Sequence, residues 1–164
     1  MRDLLENFGG HSYAVGLSLK EDKIPEFTKR FEEYVAANIL PDQLQPTINV
    51  DAEIEFADLT NQFIQTLKMF SPYGPSNEKP VFRTREVSDF GTSRLVGKNG
   101  EHIKLDVVDE TSGKVMDAIA FNMSDKWPIV KSGRPFSISY TIEENKHHTA
   151  RPGSFQLLVK EISY

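Results

Sequence analysis

The stretch Phe136-Ser-Ile-Ser-Tyr-Thr-Ile142 decides the fold class, because its large apolar and small polar side chains alternate strictly. Successive side chains of a β-strand point to opposite faces of the sheet, so one face of this stretch is apolar and the other polar. The sequence therefore predicts a β-strand over 136–142.

Similar patterns continue outward from this strand. The other predicted strands end in turn signals and cover 82–96 with a break near Gly91, 102–108, 115–121 and 155–159. A short helix over 124–130, capped by Ser124 or Asp125, precedes the 136–142 strand, and a polar loop follows it over 143–153. The order β-β-β-α-β-β is that of an OB-fold, a five-stranded, partly open barrel. Other small barrels with one short helix fit the same order.

The residues before this barrel mix helix and strand. Their predicted elements are the end of a short helix over 4–8 stopped by Gly9-Gly10, a strand over 13–19, a helix over 24–39, a strand over 47–54 and a helix over 59–70. Three prolines and a glycine over 71–80 cannot sustain a helix or a central strand. We therefore predict an α+β chain: an α/β domain over 1–70, a linker over 71–80 and the barrel over 81–164.

Composition excludes several classes of site. The 164 residues include no cysteine, which removes disulfides, thiolate zinc sites and cysteine nucleophiles. No apolar run is long enough to span a membrane and the start lacks a signal-peptide pattern, so we expect a cytoplasmic protein with no membrane partner. Residues 1–80 carry 7 basic and 13 acidic side chains, whereas 81–164 carry 12 and 11, which leaves room for a local basic groove in the second part.

Two stretches of the sequence are candidates for binding an anion or a metal. In Gly9-Gly10-His11, two glycines allow backbone N–H groups to approach an anion and the histidine can donate to a phosphate oxygen; an ordinary helix C-cap is the alternative. His147-His148 has no second ligand cluster, and adjacent histidines point apart, so we expect no metal site there.

The barrel offers a second candidate surface. OB-folds bind single strands on the face of their second and third strands, flanked by the first and fourth loops. The candidate contacts there are Arg94, Lys98, His102, Lys104, Lys146 and Arg151. The alternative is that these residues are only the solvent side of a sheet. Trp127 and Phe136 could stack on bases, but their positions favour the core.

Two motifs carry a resemblance to a known family. Phe8-Gly-Gly-His-Ser-Tyr-Ala-Val-Gly-Leu17 resembles the signature of the DHH-associated domain, and Phe70-Ser-Pro-Tyr-Gly-Pro-Ser-Asn-Glu-Lys-Pro-Val-Phe82 resembles a Pro-Phe-Gly-x-Gly-Asn-x-x-Pro-x-Phe segment of the RecJ family of single-strand-specific exonucleases. Asp51-Ala-Glu-Ile54 also matches that family. Tyr73 replaces the usual phenylalanine, and Ser76 replaces the second glycine.

The resemblance implies the C-terminal, substrate-binding part of a 5′-to-3′ exonuclease that acts on single-stranded DNA in repair and recombination. The family's Asp-His-His cluster, which holds manganese or magnesium, has no counterpart in this sequence. The chain is therefore expected to carry no catalytic residue, metal or cofactor of its own and to be inactive alone. Its implied partners are single-stranded DNA, the missing N-terminal catalytic domain and a repair protein, and Gly9, Gly10 and His11 are implied to bind substrate. A non-catalytic OB-like module that docks a protein is the rival hypothesis.

Overall fold

A computed structural model describes residues 1–11, 14–44, 46–145 and 154–164 of the chain. These residues divide into two compact units, Met1–Thr47 and Ile48–Tyr164. No helix among them is long and apolar enough to cross a membrane.

The first unit consists of a β-hairpin and one long helix. Its elements are a 3-10 turn at Arg2–Leu4, β1 (Asn7–His11), β2 (Ala14–Ser18), a 3-10 turn at Glu21–Lys23, α1 (Ile24–Asn38) and a 3-10 turn at Pro41–Leu44. β1 and β2 pair antiparallel. The predicted helix over 24–39 is confirmed, with Pro25 in its first turn. None of the residues of α1, all of which are described, is buried.

The glycine pair lies inside β1, so the predicted helix stop at Gly9-Gly10 is wrong. Gly9 pairs with Gly16, and Gly10 pairs with Val15. A Cβ on Gly10 would lie 2.3 Å from the backbone oxygen of Ala14, which is far inside van der Waals contact. The hairpin therefore requires glycine at this position for close backbone approach.

The second unit is a closed β-barrel with two short added strands. Its elements are β3 (Ala52–Glu53), a 3-10 turn at Phe56–Asp58, α2 (Asn61–Met69), β4 (Phe82–Asp89), β5 (Arg94–Val96), β6 (His102–Asp109), β7 (Val115–Ala120), a 3-10 turn at Ser124–Lys126, α3 (Trp127–Val130), β8 (Phe136–Glu144) and β9 (Phe155–Ser163). Five strands close in the order β4-β8-β9-β7-β6-β4, with β7–β9 as the one parallel pair of that ring. This order, with α3 between the third and fourth barrel strands, confirms the predicted OB-like barrel.

The predicted long strand over 82–96 is two strands. Gly91, at φ +104°, lies between β4 and β5, where a residue with a Cβ would be strained. β4 pairs with β8 and at its end with β6, whereas β5 pairs only with β6. The bend therefore lets one stretch of chain close the barrel and then extend the sheet with an extra hairpin strand.

The barrel core is apolar and contains one buried hydroxyl pair. Its fully buried members include Val87, Ile103, Leu105, Val107, Ala118, Ala120, Ile138 and Leu157. The hydroxyls of Tyr140 and Thr84 lie 2.8 Å apart, and Thr84 donates to the backbone oxygen of Ile54 at 2.8 Å. Burial raises the pKa of Tyr140 to about 12. Tyr140 is therefore an uncharged, hydrogen-bonded member of the core.

Residues that precede the barrel in sequence complete its core. Phe56 is fully buried, and its backbone N–H donates to the Asp109 carboxylate at 2.9 Å. Burial alone would disfavour the Asp109 charge, but the hydrogen bonds from Ser112, Phe56 and Thr111 outweigh it and lower the pKa of Asp109. The stretch before β4 is thus part of the second unit, and the chain divides after Thr47 and not at 71–80.

The proline-rich stretch 71–80 is an ordered turn and not a linker between units. The Tyr73 hydroxyl donates to the Leu67 backbone oxygen at 2.5 Å, and the Asn77 amide donates to the oxygens of Phe70 and Pro72 at 2.9 Å. Ser76 has φ 65°, which is the left-handed conformation that its glycine counterpart adopts without strain. Proline and glycine mark a turn here, and the same residues are also typical of linkers, so the pattern alone could not separate the two.

Three further elements are shorter than predicted. The strand expected over 47–54 is reduced to β3, and α2 begins after Thr60, whose hydroxyl accepts from the Phe63 backbone N–H at 3.1 Å. The helix expected over 124–130 is a 3-10 turn followed by α3, and neither Ser124 nor Asp125 caps it, because the N-cap position is Met123.

Candidate nucleic-acid interface

β6 separates the barrel core from an outer face. Ile103, Leu105 and Val107 are fully buried, and the alternate residues His102, Lys104 and Asp106 are partly exposed. This two-residue period is what the sequence pattern predicts for the second strand of the barrel. The outer face of β6 continues onto β5 on one side and β7 on the other.

Four of the predicted cationic contacts lie on one hairpin. Arg94 of β5 is the direct cross-strand partner of Lys104 of β6, and both lie on the outer face. Lys98 is exposed in the turn between these strands, and His102 begins β6. The structure therefore brings together Arg94, Lys98, His102 and Lys104. Lys146 and Arg151, like His147 and His148, lie outside the described residues.

An aromatic pair stands at one end of this face. The Phe121 ring, 52% exposed, meets the His102 ring edge-to-face with 5.0 Å between centroids. His102 Nδ1 accepts a hydrogen bond from the Asn122 backbone N–H at 3.1 Å, which fixes the ring. An exposed flat ring beside a second ring is a surface on which an unpaired base can stack.

Phe121 is a residue that the sequence reasoning missed. The signal was present, because Phe121 follows the inward-facing Ala118 and Ala120 at odd spacing and must therefore face outward. Phe136 is buried and Trp127 packs against the core, as the positions of both residues in the sequence favour.

Two carboxylates lie beside the cations. Asp106 of β6 and Asp117 of β7 are direct cross-strand partners. Burial and then the hydrogen bond to Asp106 raise the pKa of Asp117. Burial also opposes the Asp106 charge, but the hydrogen bond from Thr92 and the charges of Lys104 and Arg94 lower the pKa of Asp106. The outer face therefore has basic and aromatic residues towards the β5–β6 hairpin and an acidic pair at its centre.

The Gly9-Gly10-His11 motif lies on the hairpin of the first unit. All three residues are exposed in β1. Arg2 lies over the Phe8 ring, with its guanidinium carbon 5.1 Å from the ring centroid. The motif is thus accessible, and the close backbone approach at Gly10 explains one of its two glycines without a ligand.

A separate cleft of about 320 Å³ opens in the second unit between α2, the 71–80 turn and the ends of β8 and β9. Lys68 Nζ lies 4.8 Å from the centroid of the Phe155 ring at its rim. Lys79 Nζ donates to both carboxylate oxygens of Glu143 at 2.7 Å. The cleft is therefore part apolar and nearly neutral, unlike the β5–β6–β7 face.

The residues present do not form a metal site of the usual kind. Among the described parts of the chain, no three His, Asp or Glu side chains converge closely enough to hold an ion.

Comparison with known proteins identifies relatives along the whole chain. A family model described as the RecJ OB domain matches residues 50–161. The single-stranded-DNA-specific exonuclease RecJ of Salmonella typhimurium is 32% identical over 161 residues, and that of Bacillus subtilis is 28% identical over 160; each match spans 98% of this chain but only 27% and 20% of the relative.

A solved structure, RecJ from Thermus thermophilus in complex with Mn²⁺, aligns over 99% of this chain and 22% of that chain. Its TM-score is 0.69 at 21% identity, which supports the likeness of fold. This chain therefore spans about a quarter of the length of the curated relatives it matches.

Proposed function

This chain belongs to the RecJ OB domain family and resembles the C-terminal part of RecJ, and from that premise we propose that it binds single-stranded DNA for a 5′-to-3′ exonuclease. The proposed binding surface is the outer face of β5, β6 and β7. The proposed reaction, hydrolysis of phosphodiesters, belongs to a catalytic domain with manganese or magnesium that is not among these residues.

One observation carries the proposal: an exposed aromatic ring, a partly exposed one and cations share this face. Phe121 and His102 offer ring surface, and Arg94, Lys98 and Lys104 offer charges for phosphate. Base stacking requires an unpaired base, and phosphate contacts supply affinity that depends on salt. Together they favour single strands, whereas cations alone would accept duplex as well.

Replacement of one exposed lysine tests this surface. We expect Lys98→Ala to weaken binding of a fluorescent oligothymidylate by about threefold and to reduce the slope of log affinity against log salt by about 0.7, because one phosphate contact is lost. Fluorescence anisotropy of the 164-residue chain measures both quantities. Lys126→Ala, which removes an equal charge next to α3, is the control and should leave both unchanged. An equal effect of the two substitutions would contradict the proposed surface.

We also propose that Gly9, Gly10 and His11 contact the nucleotide being removed. Their exposure on β1 and the likeness of their motif to the DHH-associated signature support this role. In a full-length enzyme that includes a catalytic domain, His11→Ala should lower nuclease activity while metal content, measured by elemental analysis, stays the same. Full activity of that variant would remove the proposed role.

The cleft beside α2 supports a second candidate function, docking of a protein. Apolar residues line part of the cleft, and Lys68 and Phe155 lie at its rim. Such a lining suits a peptide side chain better than the phosphates of a DNA strand. If the chain binds neither single-stranded nor duplex DNA, that result favours protein docking over DNA binding as its function.

A further inference from the structure

We propose that the carboxylate pair Asp106–Asp117 confines the single strand to the His102 end of the β5–β6–β7 face and makes its binding consume a proton. The inference rests on the proposed function and adds the residues that position the strand. It assigns Asp106 and Asp117 a role as positioning residues.

A DNA strand that crossed the centre of the face would meet the Asp106–Asp117 pair. Asp106 and Asp117 are opposite each other in the β6–β7 register, two residues along β6 beyond the Lys104–Ile119 pair and four residues beyond His102. The Asp117 side chain is 53% exposed, so its charge faces the space that a ligand would occupy. Like charges directly opposite on neighbouring strands destabilise a sheet, so this arrangement has a cost that packing does not explain.

The charged surroundings of the pair are mixed. Lys104 Nζ lies 3.8 Å from Asp117 Oδ2, and Arg94 faces Lys104 across β5–β6. Thr92 adds a neutral hydrogen bond to Asp106 Oδ2 at 2.6 Å. The charges of Lys104 and Arg94 are therefore partly neutralised by Asp106 and Asp117.

The His102 end of the face differs from the centre. Its nearest carboxylate, Glu101, is 3.8 Å from His102 Nε2 but also accepts from the Asn99 backbone N–H, which holds it in the turn. Lys98 and the Phe121 ring are exposed there. A phosphate at this end meets cations and a ring, whereas a phosphate over the centre meets Asp117.

Protonation of Asp117 removes part of the electrostatic repulsion between this pair and a DNA phosphate. Partial burial and then the neighbouring Asp106 already disfavour the charge on Asp117, and an approaching phosphate adds a second negative neighbour. Binding near the pair therefore favours protonation of Asp117, and by linkage a lower pH strengthens binding.

The test compares two neutral, nearly isosteric substitutions in the whole 164-residue chain. Asp117→Asn removes the charge from the face, and Asp125→Asn removes an equal charge from the exposed turn before α3. The probe is a fluorescent oligothymidylate, because neither thymine nor its phosphates titrate near neutral pH. We expect Asp117→Asn to bind about three- to tenfold more tightly than the unmodified chain at about pH 7.5, and Asp125→Asn to match the unmodified chain.

The same titrations at about pH 5.5 supply the second readout. The unmodified chain and Asp125→Asn should gain more affinity on acidification than Asp117→Asn. Asp106→Asn is a second variant in the same pair, and thermal melting checks that each variant is folded.

The outcomes separate the two hypotheses. If the unmodified chain binds and Asp117→Asn binds no more tightly than Asp125→Asn, the positioning role is overturned and the proposed function stands. Weaker binding by Asp117→Asn overturns it as well, because the carboxylate would then contact the DNA favourably. If no variant binds, the proposed function fails and this inference fails with it.

Discussion

Among the side chains of the proposed face, we expect the outward-facing ring of Phe121 to contribute most to the free energy of DNA binding. It lies beside His102, whose orientation is fixed through the Asn122 backbone N–H, so one ring of the pair is already ordered. Ordering a side chain before the ligand arrives reduces the entropy lost on binding. The proposed contact role of Phe121 therefore rests on this ordered neighbour and on the cations of the same face.

Truncation of this ring should weaken binding without unfolding the barrel. Stacking on an aromatic side chain contributes about 1–3 kcal/mol per base, so Phe121→Ala should raise the dissociation constant for oligothymidylate about fivefold or more. Val115→Ala is the matched control, since Val115 is also an exposed apolar residue but lies at the start of β7, whereas Phe121 follows the end of that strand. Equal losses in the two variants, by anisotropy, would exclude a specific role for Phe121.

Strict alternation made β6 and β8 predictable, and with them the placement of Arg94, Lys104 and His102 on one hairpin. The sequence could not separate an ordered turn at 71–80 from a linker, because both use proline and glycine. It also could not show that Phe56 enters the barrel core, since such docking depends on contacts distant in sequence, such as that with Asp109. The glycine pair in β1 was misassigned for a related reason: glycine ends helices and also permits close strand approach.

The elements before β4 should be required for the barrel to fold. We expect residues 48–164 to unfold cooperatively, and residues 80–164 to be unstable, because the shorter chain lacks Phe56 and Leu59 and deprives Asp109 of the hydrogen bond from the Phe56 backbone N–H. Loss of one large buried aromatic side chain alone costs about 3–5 kcal/mol, a large part of a small domain's stability. Urea denaturation followed by circular dichroism measures this. A cooperative transition for 80–164 that matches 48–164 would restore the boundary at 71–80.

The molecule as a whole is acidic, with a net charge of −5, yet Arg94, Lys98 and Lys104, the cations proposed to contact DNA, lie on one face of the barrel. A net negative charge opposes nonspecific attraction to DNA, so binding must come from local cations and from stacking. Duplex DNA offers phosphates but no free base faces. The preference between single and double strands therefore reports whether the rings take part.

The central claim is tested most directly by measuring the affinity of the 164-residue chain for a single-stranded oligonucleotide and for the duplex of the same sequence over a series of salt concentrations. The account predicts that the single strand binds at least about tenfold more tightly, in line with a stacking contribution above 1.4 kcal/mol. It also predicts that the double variant Lys98→Ala/Lys104→Ala lowers that affinity and flattens its salt dependence. Equal affinity for both forms of DNA, or binding that ignores salt, would contradict it.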